Sequence, residues 1–242
     1  MVGKDRSIDN LKLFLKRKQV FGTFFIILMF FSLLPFVVSD TVLPPDSDEQ
    51  EYPDIYENIV VWQDDGGSDW DILGYDFETD TQFTICDAAG DQKYPKISGN
   101  YVVWEDYRND VNHPDVYGYN LSTGTEFAIC TANSDQNTPD VSGNMVAWVD
   151  YRDWGGAGHA DIYVYYINTS TEVNIYTSSN AMFNSCIDGD KIAWQEMISG
   201  NYVIKVYDIS EDTTDTFTGS GGSQVTPALS GDIVVWSDHT YN

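Results

Sequence analysis

One six-residue phrase is written five times in this chain, and the interval between its copies constrains the fold more than any other feature. The copies are Ile59–Asp64, Tyr101–Asp106, Met145–Asp150, Lys191–Glu196 and Ile233–Asp238. Each is an apolar run rich in β-branched residues that closes on Trp, one variable residue and an acid, which is the grammar of a short strand. The Trp residues fall at 62, 104, 148, 194 and 236, so the steps are 42, 44, 46 and 42 residues. Self-similarity at that period marks an architecture of stacked units, each burying its apolar face against the next.

Aligned on Trp, each unit holds four short segments. Segment a is Tyr94–Ser98 and its equivalents 52–56, 138–142, 184–188 and 226–230; segment b is the recurring phrase. Segment c is Asp115–Tyr119, matched by Asp71–Tyr75, Asp161–Tyr165 and Val203–Tyr207, and segment d is Glu126–Cys130, matched by Gln82–Cys86, Glu172–Tyr176 and Thr216–Thr218. Turn residues separate them, as at Ser98-Gly99-Asn100 and Ser122-Thr123-Gly124. Four short antiparallel strands per unit make a propeller blade. The expected fold is therefore all-β: a β-propeller of four-stranded antiparallel blades at 52–87, 94–131, 138–177 and 184–218, followed by the first two strands of a fifth at 226–242.

Spacing separates frame from loop. From the acid that ends segment b to the first residue of segment c the distances are 7, 9, 11 and 7 residues, and subtracting them from the repeat steps leaves 35 each time. All length variation thus lies in the b-to-c connection. In an antiparallel meander these loops share a face with the d-to-a connections, and loops of variable length on a rigid frame are where binding resides. Tyr107, Arg108 and Asn109, with Tyr151, Arg152, Asp153 and Trp154, are the candidate binding residues. The five Trp residues, Trp62, Trp104, Trp148, Trp194 and Trp236, are read as packing between blades rather than as ligand-stacking rings.

The N-terminus carries a different signal. Lys12, Lys16, Arg17 and Lys18 precede an almost uncharged apolar run over 20–38, with small residues at Val38-Ser39. Residues 1–39 read as a secretory signal peptide, with a retained membrane anchor as the alternative. Residues 40–51, rich in Pro and acids, read as a solvated linker ahead of the propeller at 52–242. The chain carries 12 basic and 38 acidic residues, a net charge of −26. Such a balance excludes nucleic acid as a natural partner, because phosphate binding needs clustered Lys and Arg. Three cysteines, an odd count, with Cys86 and Cys130 at one repeat position, point to free buried thiols.

The units resemble archaeal and bacterial cell-surface β-propeller proteins with TolB-like repeats, such as those of methanogens. The resemblance rests on Tyr94–Arg108 with Asp115–Gly124 and on Thr138–Arg152 with Asp161–Thr169, and it extends over residues ~52 to 238. It implies a secreted or cell-surface propeller acting on extracellular protein or glycan partners, with no shared catalytic motif. Blade four departs from the pattern: Ser185 replaces Pro, Val203 replaces the segment-c Asp, and no Tyr-Arg pair follows Glu196. The two-strand fifth unit allows a near-closed ring, which is favoured, a two-chain assembly, or a longer gene product; its open edge would serve self-association.

Asp106 with Asp115, Asp150 with Asp161 and Asp64 with Asp71 bracket the b-to-c loops and are weak calcium candidates, set against carboxylates that bond their own hairpins or pair with Arg108 and Arg152. No other cofactor is implied. His113, His159 and His239 occupy loop positions in three blades and read as solvated rather than zinc-binding. No nucleophile elbow or phosphate loop is present, so an enzyme acting on an extracellular polysaccharide, a hydrolase or lyase, rests on fold analogy alone. Asn120 and Asn168 head glycosylation sequons at one c-to-d turn position of adjacent blades.

Overall fold

The computed structural model describes residues 15–16, 40–41, 49–153, 160–219 and 222–240. The chain divides into two compact units, Met1–Glu49 and Gln50–Asn242. In the first, β1 (Leu15–Lys16) pairs antiparallel with β2 (Asp40–Thr41). The apolar run at 20–38, on which the signal-peptide reading rests, lies outside the described residues. No helix among the described residues is long and apolar enough to cross a membrane.

The second unit is all strand, in sheets that follow chain order. The first blade is β3 (Gln50–Tyr56), β4 (Ile59–Asp65), β5 (Trp70–Asp76) and β6 (Thr81–Cys86). The second is β7 (Gln92–Ser98), β8 (Tyr101–Asp106), β9 (Asp115–Asn120) and β10 (Thr125–Cys130). The third is β11 (Gln136–Ser142), β12 (Met145–Asp150), β13 (Ala160–Tyr166) and β14 (Thr171–Ser178). The fourth is β15 (Met182–Asp188), β16 (Lys191–Ile198), β17 (Asn201–Asp208) and β18 (Thr213–Phe217). A two-stranded sheet, β19 (Gly222–Ser230) and β20 (Ile233–Thr240), ends the series. Each four-stranded sheet is an antiparallel meander, as the four-segment repeat requires.

Segment a begins earlier than the sequence suggests. Gln50, Gln92 and Gln136 already pair with the acid of segment b, opposite Asp64, Asp106 and Asp150. Residues 50 and 51, assigned to the linker on composition, are therefore strand. His239 likewise lies within β20, opposite Ser223, rather than in a loop. Blade four has no b-to-c loop at all: β16 and β17 meet through Ser199 and Gly200, both at positive φ (52° and 87°), with Ile198 paired to Asn201.

Every a strand carries one bulge. Tyr52, Tyr94, Thr138, Asn184 and Thr226 stand at φ between 49° and 57°, and the register with segment b slips there each time. The left-handed conformation turns the amide of the bulged residue out of its own ladder and toward the preceding blade. Tyr94 N donates to Gln63 Oε1 (2.9 Å), Thr138 N to Glu105 Oε1 (2.7 Å) and Thr226 N to Gln195 Oε1 (2.9 Å). These acceptors are the variable residue of the Trp-x-acid phrase. At the third junction that residue is Val149, which cannot accept. There Ser185, standing where the other blades have Pro, supplies an N–H to Thr138 Oγ1 (3.2 Å) and a hydroxyl to Thr138 O (2.7 Å).

A second row of bonds joins neighbouring a strands. Ile97 N donates to Asp54 Oδ2 (2.9 Å) and Ile187 N to Asp140 Oδ2 (2.8 Å). Gly143 N donates to Ser98 Oγ (3.1 Å), Gly189 N to Ser142 Oγ (2.9 Å) and Gly231 N to Asp188 Oδ2 (2.7 Å). In all of these the side-chain acceptor sits on the earlier blade and the backbone donor on the later one.

Apolar packing fills the same junctions. Trp104 packs with Val61, Ile72, Ile85 and Cys86 of blade one, and Trp148 with Val103, Val116, Ile129 and Cys130 of blade two. Trp194 packs with Val149, Ile162 and Val164 of blade three. The indoles at 62, 104, 148 and 194 are at most 3 % exposed, whereas Trp236 is half-buried. Contacts between strands join β3 to β7, β7 to β11, β11 to β15 and β15 to β19. Among the described residues no comparable contact joins the first sheet to the last, so the near-closed ring favoured on sequence has no closing contact to support it.

Candidate functional site: the b-to-c loop face

The root of each long b-to-c loop is a clasp built from the recurring phrase. In blade two, Trp104 Nε1 donates to Asp106 Oδ2 (2.8 Å), since Trp and acid two residues apart share one face of the strand. Arg108 then folds back on the same carboxylate, Nε to Oδ1 at 2.8 Å and Nη2 to Oδ2 at 2.7 Å, while its backbone N–H donates to Oδ1 at 3.0 Å. Its Nη1 reaches Glu126 (2.6 Å), its Nη2 also contacts Cys86 Sγ of blade one (3.2 Å), and its plane lies 4.2 Å from the Tyr117 ring centroid.

Blade three repeats this bond for bond. Trp148 Nε1 donates to Asp150 Oδ2 (2.8 Å), and Arg152 meets Asp150 at 2.9 and 2.7 Å, Glu172 at 2.6 Å and Cys130 Sγ at 3.0 Å, over the Tyr163 ring at 4.1 Å. Asp106 and Asp150 are fully buried with both oxygens occupied. A planar, forked donor against a buried carboxylate is the geometry only Arg supplies.

The clasp changes the standing of the sequence-derived candidates. Arg108 and Arg152 spend their donors inside the fold. Tyr107 is half-buried with its hydroxyl on Glu105 Oε2 (3.1 Å), and Tyr151 is buried with its hydroxyl on Met182 O (2.5 Å). Asn109 is exposed, and its Nδ2 donates to Asp115 Oδ2 (2.7 Å) and Tyr117 Oη (3.2 Å). Asp153 is exposed; Trp154 and His159 lie outside the described residues. Beyond Asn109 the tip Asp110–His113 is exposed, and His113 Nδ1 sits against Asp135, which raises the imidazole pKa.

Blades one and four lack the Arg. Gly66 occupies its position in blade one, where Asp64 Oδ2 accepts from Trp62 Nε1 (3.1 Å) and Gln50 Nε2 (3.0 Å). Partial burial and the neighbouring Asp69, Asp87 and Asp64 push the Asp71 carboxyl up to about 6. In blade four, Glu196 accepts from Tyr176 (3.2 Å), Ser178 (2.5 Å) and Asn180 (2.8 Å). Trp194 Nε1 is left without a partner among the described residues, because the longer acid carries its carboxylate past the indole.

Among the described residues no group of three or more His, Cys, Asp or Glu side chains is arranged to hold a metal. Among the described residues the buried polar atoms without partners are Gln92 Oε1, Gln136 Oε1 and Asp161 Oδ1, besides the Trp194 indole. Cys86, Cys130 and Cys186 are free, and burial pushes their thiols up to about 12, so they are inert at neutral pH. On the opposite face, a recess of about 340 Å³ is lined by Tyr56, Glu57, Asp76, Glu78 and Asn100, among others. Asn120 ends β9 with its Oδ1 accepting from Ser122 N (2.9 Å), and Asn168 is exposed in the equivalent turn.

The junction residues Gln63, Glu105 and Gln195 went unremarked at the sequence level. Their signal was available: a long amide or carboxylate stands between Trp and the acid at three of the four junctions.

With four-stranded meanders in series and a buried Trp at each of the first three junctions, the fold is that of a β-propeller. Among solved structures the chain is similar to a putative TolB from Agrobacterium tumefaciens, at TM-score 0.59 and 14 % identity, over 74 % of this chain and 69 % of that one. It is similar to TolB from Acinetobacter baumannii (TM-score 0.55, 13 % identity), spanning 77 % of this chain and 46 % of that one. An oligogalacturonate lyase from Vibrio parahaemolyticus is similar as well (TM-score 0.55, 10 % identity), over 76 % of this chain and 57 % of that one. No family model matches the sequence, and no curated protein does.

Proposed function

We propose that the chain is a non-enzymatic binding and scaffold module, displayed outside the cytoplasm, that meets a protein or glycan partner through the tips of its b-to-c loops. The observation that carries this reading is the contrast at the clasp. Loop roots in blades two and three are held bond for bond alike, while the residues beyond them differ in sequence, and the described ones, Asn109–His113 and Asp153, are exposed. The tip of blade two is Asn109-Asp110-Val111-Asn112-His113, with Val111 80 % exposed, and that of blade three starts at Asp153. A rigid frame with divergent tips suits recognition. The similarity to TolB propellers supports a binding or scaffold role, and the acidic charge weighs against nucleic acid. Glycan-array and surface-protein screens of residues 40–242 test it. Binding that is lost when Asp110–His113 is replaced by Gly-Ser supports the reading, and unchanged binding by that variant refutes the assigned face.

A second reading, an extracellular polysaccharide-active enzyme, draws on the similarity to the oligogalacturonate lyase and on Asp71, whose raised pKa would suit a general acid. Release of new reducing or unsaturated ends from uronate polymers, lost in Asp71→Asn, would favour it. A third, an envelope component that self-associates through the open edge of β20, predicts a concentration-dependent solution mass.

A further inference from the structure

We infer that blade three holds a divalent oxygen-seeking cation, calcium in the first instance, between Asp153 and Asp161. The comparison of blades two and three carries the inference. In both, the first residue of segment c is a buried Asp placed opposite the acid of segment b: Asp115 opposite Asp106, Asp161 opposite Asp150. In both, Arg folds back on that segment-b acid identically, so the residue after the Arg starts from the same place. In blade two that residue is Asn109, whose amide donates to Asp115 Oδ2 at 2.7 Å. In blade three it is Asp153, whose side chain has oxygens where Asn109 has an amide N–H.

The consequence is visible in the structure. Asp161 is 2 % exposed, yet its Oδ1 has no hydrogen-bond partner among the described residues. A buried carboxylate oxygen without a donor is costly, and here the side chain that should supply the donor has become a second carboxylate. A cation standing where the Asn109 amide stands in blade two satisfies both acids at once. Two carboxylates with water completing the shell suit calcium, whose geometry is flexible, better than magnesium. The other oxygens nearby are not recruited: Asp150 is saturated by Trp148 and Arg152. Gln136 Oε1 is unpartnered, but so is Gln92 Oε1 in blade two, where the segment-c Asp is already satisfied.

The test is thermal unfolding of the full chain in EGTA and in calcium or magnesium. For a weak two-carboxylate site, calcium at ten times Kd should raise Tm by about 3 to 6 °C, with magnesium less effective. Asp153→Asn, an exposed substitution that restores the blade-two amide, should remove that increment and unfold in EGTA at or above the parent's Tm. Asn109→Asp should add a calcium-dependent increment by creating the same arrangement in blade two. The inference is overturned if the parent shows no calcium response, or if Asp153→Asn responds as fully as the parent, which would locate the cation elsewhere, such as the acids of blade one. It is also overturned if Asn109→Asp gains nothing.

Discussion

Arg108 and Arg152 show how a side chain that spacing marks as a ligand contact can be tied into its own blade. Each sits just beyond the last invariant position of its blade, in the loop whose length varies, and spacing alone reads that as a binding residue. What spacing does not contain is that the chain reverses there and returns the guanidinium to the acid two residues earlier. Arg108→Ala should cost about 3 kcal/mol in urea unfolding, because it strips donors from a fully buried carboxylate. Arg108→Lys should recover less than half, lacking the fork. Glu105 offers a pH test. Burial, partly offset by bonds from Thr138 N and Tyr107, lifts its pKa from 4.5 to about 7. The folded state then holds the proton more tightly than the unfolded chain, so this residue lowers stability as pH climbs from about 4.5 to about 7. Glu105→Gln, the residue used at two other junctions, keeps the Thr138 bond. It should flatten that slope and stabilise the protein at pH 8 by roughly 1 to 3 kcal/mol, read from denaturant midpoints at pH 5 and pH 8.

At the scale of the strand, the four-segment blade was legible because Trp, Gly turns and alternating apolar residues are local signals. The start of segment a was not. Gln50, Gln92 and Gln136 are polar residues beside loop-like sequence, and only their pairing opposite the segment-b acid makes them strand. The bulge was equally hidden, since Tyr, Thr and Asn at φ near +50° have no composition of their own. Ser185 was legible as a departure but not as a replacement part: losing Pro restores the N–H that the Val149 junction needs. Ser142→Ala should weaken the junction of blades three and four by about 1 kcal/mol. In native-state hydrogen exchange the Gly189 amide should then exchange roughly fivefold faster, and an unchanged rate would remove this bond from the junction. Blade two also depends on a fitted glycine. A Cβ on Gly118 would come within 2.9 Å of the Phe127 ring. Blade three has Val164 and Val173 at the same paired positions, so a Cβ stands there opposite a side chain smaller than Phe.

For the whole molecule, 38 acids against 12 bases mean that electrostatic self-repulsion opposes the compact state. Raising NaCl from roughly 10 mM to 1 M, where the Debye length falls to about 3 Å, should therefore raise Tm by several degrees despite weakening exposed ion pairs. A falling Tm would mean that the ion pairs dominate the charge balance. Blade number and order were readable from the period, whereas closure was not, because it depends on a contact between sequence-distant sheets that no local pattern encodes. The a-strand amides at the junctions bond to side-chain oxygens of the preceding blade, and that direction has a consequence for synthesis. As the chain leaves the ribosome, each completed blade already presents the Gln, Glu, Ser or Asp oxygen that the next blade's amide will seek, so every newcomer docks on a finished template. Assembly can then run vectorially with translation, each step closing only a short loop, and a tandem gene duplication inserts a unit that arrives carrying the coupler for its successor.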